Sequence, residues 1–557
     1  MEKIVLFLIV IFIFVLFFIR VTVDNKRNVE KLRREFQENF GKPNTRVWKL
    51  GNLERISYYA KYRESEQTVD ELTWNDLDMD LIYQQMAYTQ SSLGDDYLYY
   101  LLKNPVKDET VLGEREKKIA CLTLNQDFRL NLQILFSRLG YMERFSLAQY
   151  LEFLMKEKPG KNRKHYILDV LIVFSILLMA VHVGLGLTLF FVLILYNVVS
   201  YFKDKAYFEP YLVSVRYLFK VLDCAKEIIK ELPIEWLSEK EELNKILTAI
   251  HPIRKNSYLV MSPGRMAGEG LELILDYLRM CLHLDIIKFN RMLSGLQQYE
   301  KELWNLYEIL GEIDAYIAVA QYREYLSMIC CPTFVQDKEI EMVDGYHPLI
   351  EKPVCNSIKV NRGVLLTGSN ASGKSTFLKT VAVNALLAQT IHTCMAKEFK
   401  LPFCKLLTSM SLKDSLSLKE SYYMAEIKAI KRILDTGSRE DMIVCMVDEV
   451  LRGTNTVERI AASTQILKVM TGKKIMCFAA THDVELTKTL EKEYDNYHFE
   501  ESIVKGDVQF SYKLKQGRAH SSNAIDLLAN LGYDGKIIEN ARNMVNRFET
   551  QGEWICE

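Results

Sequence analysis

This 557-residue chain lacks any excess of positive or negative charge: 71 Lys and Arg stand against 72 Asp and Glu, a formal net charge of −1. No strong overall field is therefore available to gather a polyanion such as nucleic acid. Cysteine patterning is missing as well. The 11 cysteines include no C-x-x-C pair and no metal-ligand spacing. The adjacent Cys330-Cys331 is a poor disulfide signal, so the reading is reduced cytosolic thiols. There is no internal repeat, low-complexity tract or Pro-rich linker; Lys158-Pro159-Gly160 and Ser262-Pro263-Gly264 mark turns between helices. Length alone allows about three or four domains. A hydrophobic content of 49% suits a mainly globular chain with a membrane part.

What is present is more specific. Leu365–Thr376 reads LLTGSNASGKST, an apolar run followed by the pattern G-x-x-x-x-G-K-[ST], placed where a strand should give way to a helix. Backbone N–H groups of the loop Gly368, Ser369, Asn370, Ala371, Ser372 and Gly373, with Thr376 just behind, can hold phosphate oxygens at the positive end of that helix. Lys374 can reach the terminal phosphates of ATP, and the Ser375 hydroxyl is placed to ligate Mg²⁺. Met442–Glu449 (MIVCMVDE) has the pattern of a buried strand ending in two carboxylates. Asp448 would hold Mg²⁺ through water, and Glu449 would polarise the attacking water. Alone, such a stretch is better read as an ordinary strand and a solvated acidic turn; the phosphate loop upstream reverses that choice. A third strand, Lys474–Ala480, ends in Thr481-His482. A histidine there can sense the γ-phosphate and orient the water, although in isolation His482 would read as a satisfied surface histidine.

These residues carry a family resemblance. Thr367–Gln389, Asp448–Thr456 (DEVLRGTNT), Ala480–Thr487 (ATHDVELT) and Tyr346-His347-Pro348 resemble the ATPase domain of the MutS DNA mismatch-repair family. Ser421–Glu426 (SYYMAE) is similar to that family's signature segment S-T-F-x-x-E, and Arg518–Arg542 resembles its closing helical segment. The resemblance implies an ABC-type ATPase working as a homodimer, each site completed by the partner's signature segment, here Ser421. Leu451 stands where the family usually has glycine before R-G-T. Upstream, Trp74–Leu102, with Asn104-Pro105 and Arg115, resembles the start of the MutS helical core, and Leu310–Phe334 its returning lever helix. Together these segments cover about three-fifths of the chain. Only about fifty residues separate the first apolar segment from the core, too few for an ordinary domain. The expectation is a truncated member without the mismatch-reading and connector domains, and without a nuclease-like tail. Phe36-Gln37-Glu38 spells the family's F-x-E wedge with no domain around it.

In place of those modules stand apolar segments. Ile4–Ile19 is an unbroken run of Ile, Val, Leu and Phe, slightly short of the roughly 20 residues that span a bilayer. Val21 and Val23 extend it. Arg20, Lys26, Arg27, Lys31, Arg33 and Arg34 follow where a cleavage site would stand, favouring an uncleaved anchor over a signal peptide. Tyr166–Phe202 carries no Lys, Arg, Asp or Glu except Asp169, over roughly twice the bilayer requirement. It reads as two spanning helices joined by a tight turn near His182-Val183-Gly184. Lys156, Lys158, Lys161, Arg163 and Lys164 precede it, and Lys203 and Lys205 follow. A pair of buried soluble helices would have to be apolar on every face. The expectation is a cell-membrane protein with three spans, N-terminus outside and the ATPase domain cytoplasmic.

The expected fold is mixed, an α/β ABC-type P-loop ATPase domain C-terminal to a mainly α-helical MutS-like core, with transmembrane helices. Its boundaries are 1–23 (anchor), 24–71 (linker helix and loop), 72–164 (core), 165–202 (membrane hairpin), 203–329 (core and lever), 330–547 (ATPase) and 548–557 (tail). Ile286–Tyr316 keeps apolar residues at helical spacing, which predicts one packed amphipathic helix. ATP and Mg²⁺ are the implied cofactors. Non-sequence-specific double-stranded DNA is the partner the resemblance implies, without mismatch recognition. The alternative is a membrane-tethered ABC-type ATPase switch acting on a protein or membrane partner. Between Lys203 and Leu284 positive charges are interleaved with Glu and Asp, the sign of a solvated face.

Overall fold

The computed structural model describes residues 12, 20, 22–24, 26–49, 51–142, 145–254, 277–278, 280–369, 372–410, 422–437, 442–451, 455–504, 507–518, 525, 528–529 and 532–551. Among the described residues, the helices ahead of the sheets include α1 (Asn52–Tyr62), α2 (Glu71–Asp76), α3 (Met79–Met86), α4 (Ser92–Lys103), α5 (Glu109–Leu124), α6 (Gln126–Leu139), α7 (Leu147–Lys156), α8 (Arg163–Met179), α9 (Val183–Glu231), α10 (Leu237–Arg254), α11 (Leu284–Gln297) and α12 (Glu300–Tyr325). The sheet-bearing part follows: β1 (Thr333–Phe334), β2 (Ile340–Gly345), β3 (Asn356–Val360), β4 (Gly363–Thr367), α13 (Lys374–Ile391), β5 (Glu398–Leu401), β6 (Lys405–Ser409), α14 (Tyr422–Thr436), β7 (Ile443–Asp448), α15 (Thr456–Thr471), β8 (Ile475–Ala480), α16 (Val484–Thr489), β9 (Tyr494–Val504), β10 (Asp507–Gln516) and α17 (Gly535–Gln551). The chain separates into two compact units. One holds Met1–Arg63, Ala87–Tyr100 and Lys117–Gln321; the other holds Glu64–Met86, Leu101–Glu116 and Tyr322–Glu557.

The first unit is helical. α7 starts where a capping box allows it: the Ser146 hydroxyl accepts from Gln149 N–H while the Gln149 side chain accepts from Ser146 N–H. Aromatic rings fill part of the core, with Tyr59 4.7 Å from Tyr307 and 6.1 Å from Trp304, centroid to centroid. Asp314 is buried and accepts from the Ser91 hydroxyl at 2.6 Å and from the Ser91 and Gln90 N–H groups. Burial pushes its carboxyl up to about 7 against those donors. Only glycine fits at 94, since a Cβ there would overlap the Asp314 carboxylate.

Helices α8 and α9 form an antiparallel hairpin turning at Ala180–His182. A Cβ on Gly186 would lie 2.6 Å from Met179 N, so glycine lets the two backbones approach beside the turn. One stripe of each helix faces inward, with Leu168, Ile172 and Ser175 buried on α8 and Leu193, Asn197 and Tyr201 on α9. Most of the other apolar side chains between Tyr166 and Phe202 are exposed, and the rest are half-buried. Of the three expected spans, the first lies almost wholly outside the described residues. Among the described residues one stretch, Val183–Ala206, is long and apolar enough to cross a membrane, and only 22% of it is buried. α8, at 17 residues, falls short of the same length. Ile286–Tyr316 is not one helix but two, α11 and α12, parting at Gln298-Tyr299. Gly295 weakens helix propensity just before the break, and its missing side chain admits Ile253, 3.1 Å from where a Cβ would stand.

The second unit has two sheets, one of four strands in the order β1-β5-β2-β3 and one of six in the order β10-β9-β4-β8-β7-β6. The larger is parallel except for its β10 edge, which pairs antiparallel with β9. Its central strands are apolar throughout because both faces are covered: β4 and β8 are buried along their whole length. On one face Cys445, Val447, Ile475 and Cys477 pack with Ile430 and Ile433 of α14 and Leu467 and Met470 of α15. Each fully buried side chain of this size stabilises by about 1.5–3 kcal/mol, so the sheet is a stiff platform for the loops at its ends. α2, grouped with the helical core by its sequence, packs here instead: buried Asp76 accepts from the Thr408 hydroxyl at 2.6 Å and Met410 N–H at 2.9 Å, closing the end of β6. Arg323 grips Glu116 through both oxygens, at 2.8 and 2.6 Å, and donates to the carbonyls of Ile391 and His392 at the C-terminal end of α13.

Candidate functional site

The site begins where β4 stops. The chain leaves Thr367 into a loop bounded by Gly368 (φ +143°) and Gly373 (φ +106°). Both conformations disfavour any other residue. A Cβ on Gly368 would also lie 2.9 Å from Ser372 Oγ and 3.0 Å from Phe499 O, and one on Gly373 would lie 3.2 Å from the Tyr512 ring. Lys374, the first residue of α13, is 5% exposed. Its ammonium donates to Gly368 O at 2.8 Å and Ser369 O at 2.7 Å, so its charge sits over the loop rather than in solvent.

Strand order brings in the other groups. β4 lies beside β8 and β8 beside β7, all parallel, so their carboxyl ends open on one edge. The Ser375 hydroxyl donates to Asp448 Oδ2 at 2.6 Å, joining the loop to the end of β7. Glu449 follows at φ +62°, tied by its N–H to Ala480 O at 2.9 Å, and its Oε1 lies 2.9 Å from His482 Nε2. Thr481 N–H donates to Leu366 O, holding the end of β8 against β4. Arg459 clamps Asp483 through two bonds of 2.9 and 2.6 Å, fixing the start of α15 beside this turn. Leu451, in the place where glycine was expected, is also left-handed at φ +62°. It is held by burial and by its N–H bond of 2.7 Å to the buried Glu426 carboxylate. Two non-glycine residues at such angles within three positions store about 1–3 kcal/mol each, which the surrounding bonds must supply.

Two cavities flank the loop. One of about 230 Å³ is lined by Glu449, Arg459, Thr481, His482 and Asp483. The other, about 370 Å³, is lined by His347, Pro353, Gly373, Thr376, Phe499 and Tyr512 among others. Burial, aided by the Lys379 charge, lowers the His347 pKa to about 4 and keeps the ring neutral. Buried His347 Nε2 and Ser372 Oγ have no hydrogen-bond partner among the described residues, so polar atoms remain for a ligand beside the loop. The Ser375 hydroxyl and Asp448 carboxylate form the hard oxygen donor set that suits Mg²⁺. A nucleoside triphosphate with Mg²⁺ fits what these residues offer.

Of the residues picked out in the sequence, Gly368, Ser369, Ser372, Gly373, Lys374, Ser375, Thr376, Asp448, Glu449 and His482 are brought to this edge of the sheet. Asn370, Ala371 and Ser421 lie outside the described residues. Sequence reasoning gave no role to Phe499 and Tyr512, which reach the loop from β9 and β10, or to Arg459. Nothing in local spacing singles them out; only the strand order places them here.

A family model described as MutS domain V matches residues 364–549. Three curated proteins, each named DNA mismatch repair protein MutS, are similar over about half of the chain. That of Lactobacillus acidophilus is 28% identical over 303 residues, 52% of this chain and 35% of that protein. That of Bacillus licheniformis is 28% identical over 300 residues, 51% of this chain and 34% of that protein. That of Listeria welshimeri is 29% identical over 301 residues, 52% of this chain and 34% of that protein. The match thus spans about a third of the length of these relatives. With the domain match falling on the strands and loops just described, residues 364–549 match MutS domain V and about half of the chain is similar to MutS proteins.

Proposed function

We propose that the chain is a membrane-anchored, MutS-type ATPase that uses ATP with Mg²⁺. One observation carries the reading: Lys374, Ser375, Asp448, Glu449 and His482 meet at the carboxyl ends of three adjacent parallel strands. Phosphoryl transfer to water needs positioning and charge neutralisation more than covalent chemistry. Loop N–H groups and Lys374 would hold the β- and γ-phosphates. Ser375 and Asp448 would hold Mg²⁺, which supplies further neutralisation of the phosphate charge. Glu449 would accept the proton of the attacking water, and His482 would fix its carboxylate for that task. The larger cavity, with neutral His347 and the Phe499 and Tyr512 rings, suits the base end of the nucleotide.

The membrane part of the reading rests on exposure. Val170, Phe174, Leu177, Leu185, Phe191, Leu195 and Val199 stand outward on a hairpin with few polar groups, far beyond the scattered apolar residues of an ordinary surface. At 1.5 Å per residue the apolar leg from Val183 to Phe202 is about 29 Å long, close to the roughly 30 Å of a hydrocarbon core. Basic residues at both feet of the hairpin favour a cytoplasmic base and ATPase, with the turn outside. A Val183→Cys protein should then be labelled by an impermeant thiol reagent added to intact cells, while native Cys556 stays unlabelled until the cells are opened. Labelling of Cys556 from outside would reverse the topology.

The relatives are named DNA mismatch repair proteins, so duplex DNA is the partner class to try first. The balanced net charge of −1 argues for weak binding that depends on local contacts. DNA-stimulated turnover is expected in detergent-solubilised protein, with an affinity that falls by a log–log salt slope of about −0.9 per phosphate contacted. Homoduplex and mismatched duplex should act alike. The hairpin favours a second reading, an ATPase switch on a membrane or protein partner. Failure of DNA to bind at low salt, with and without ATP, would select it.

A further inference from the structure

At the foot of the hairpin the chain builds a cavity of about 230 Å³ with two unlike walls. One wall is the turn between α7 and α8, carrying Lys158 and Lys161, with Lys164 on the first turn of α8; the other is α11, offering Ile286, Phe289 and Leu293. The turn is preformed. Gly160 N–H donates to Asn290 Oδ1 at 3.1 Å, Asn290 Nδ2 to Asn162 Oδ1 at 2.9 Å, and Asn162 Nδ2 to Ile287 O at 3.2 Å. The Gln297 amide holds the C-terminal end of α7 through Leu154 O at 2.8 Å and Glu157 O at 2.6 Å. A site already shaped in this way spends little ordering entropy on its ligand.

Charge in the cavity is uneven. Of its two acids, Asp204 is paired with Lys164 at 3.0 Å, while Glu157 accepts from the Tyr211 hydroxyl at 3.0 Å and keeps its charge, so the three lysines of the lining outnumber the acids. Lys158 and Lys161 are exposed and make no ion pair among the described residues. Two uncommitted ammonium groups therefore face a pocket whose opposite wall is apolar. A small free anion would use the first wall and leave the second unused; a phosphate attached to glycerol and acyl chains would use both. The level in the fold agrees, since the exposed apolar side chains of α8 begin at Tyr166 and Ile167, directly after Lys164.

We infer that this cavity binds the headgroup of an anionic phospholipid, Lys158 and Lys161 meeting the phosphate and Ile286, Phe289 and Leu293 the start of the acyl region. The inference rests on the membrane reading above. Basic pockets at the cytoplasmic ends of spanning helices hold anionic headgroups, each lysine near the surface being worth about 1 kcal/mol. Two such lysines give roughly a tenfold to thirtyfold preference over a zwitterionic lipid.

The test uses the full chain in nanodiscs of phosphatidylcholine mixed with phosphatidylglycerol, with the lipids retained after gentle release counted by native mass spectrometry. Phosphatidylglycerol should be retained about tenfold over its share of the mixture. A Lys158→Ala/Lys161→Ala protein should retain both lipids alike, while Lys158→Arg/Lys161→Arg keeps the preference. Water-soluble glycerol 3-phosphate should not displace the lipid. Equal retention by the wild type, an undiminished preference in the alanine variant, or displacement by glycerol 3-phosphate would overturn the inference. Extraction of the chain from membranes by alkaline carbonate would instead overturn the membrane reading itself, so the two failures are separable.

Discussion

Replacing Glu449 by glutamine is expected to leave ATP bound and to slow its hydrolysis by about 10²- to 10⁴-fold, the usual contribution of a general base. Glutamine matches glutamate in shape and keeps an oxygen for His482, 2.9 Å away in the wild type. The left-handed backbone at 449, anchored to Ala480 O, has no reason to change. What disappears is the basic carboxylate that would take the proton of the attacking water. Nucleotide binding followed by a fluorescent ATP analogue, beside single-turnover phosphate release, separates the two effects. Wild-type release by Glu449→Gln would remove Glu449 from the reaction. On the proposed reading His482 would act through Glu449, so His482→Ala should show a smaller loss.

Replacing Lys374 by alanine is expected to weaken ATP binding by about 10²- to 10³-fold, the cost of removing one partner from a desolvated charge pair. Lys374 is buried with its ammonium over the loop carbonyls of Gly368 and Ser369, where little water is available to replace it. Equilibrium binding of labelled ATP measures the loss, and unchanged affinity would contradict the assignment. The same variant tests the homodimer. If Ser421 of one chain completes the other's site, mixing Lys374→Ala with Ser421→Arg chains puts both lesions in one composite site. The second site stays whole, and a fraction of wild-type activity should return. No recovery, with mixed dimers shown to form, would mean that the sites work within single chains or are obligatorily coupled.

The strands of the candidate site were legible because their signals are local. An apolar run into G-x-x-x-x-G-K-S, another ending in Asp448-Glu449 and a third ending in Thr481-His482 each announce a buried parallel strand, and β4, β7 and β8 occupy those places. Groups that converge from distant parts of the chain were not legible. Phe499 and Tyr512 come to the loop only because β9 lies beside β4 and β10 beside β9. Asp76 carries no local signal of its own, and only the fold shows it closing the end of β6. The break between α11 and α12 escaped for a related reason. Apolar spacing continues straight through Gln298-Tyr299, and periodicity does not register a local change of axis. Leu451 illustrates the reverse case: the glycine expected there marks a left-handed position, and the leucine adopts that conformation at φ +62°.

Phosphate release from ATP by the purified full chain, compared with Lys374→Ala in the presence of Mg²⁺ and then of excess chelator, tests the central claim most directly. Wild-type protein should release phosphate only with Mg²⁺, and the variant should release none above background. Release that persists in Lys374→Ala, release indifferent to the chelator, or no release by the wild type in any lipid, detergent or DNA condition would contradict an ATPase built on the Gly368–Thr376 loop.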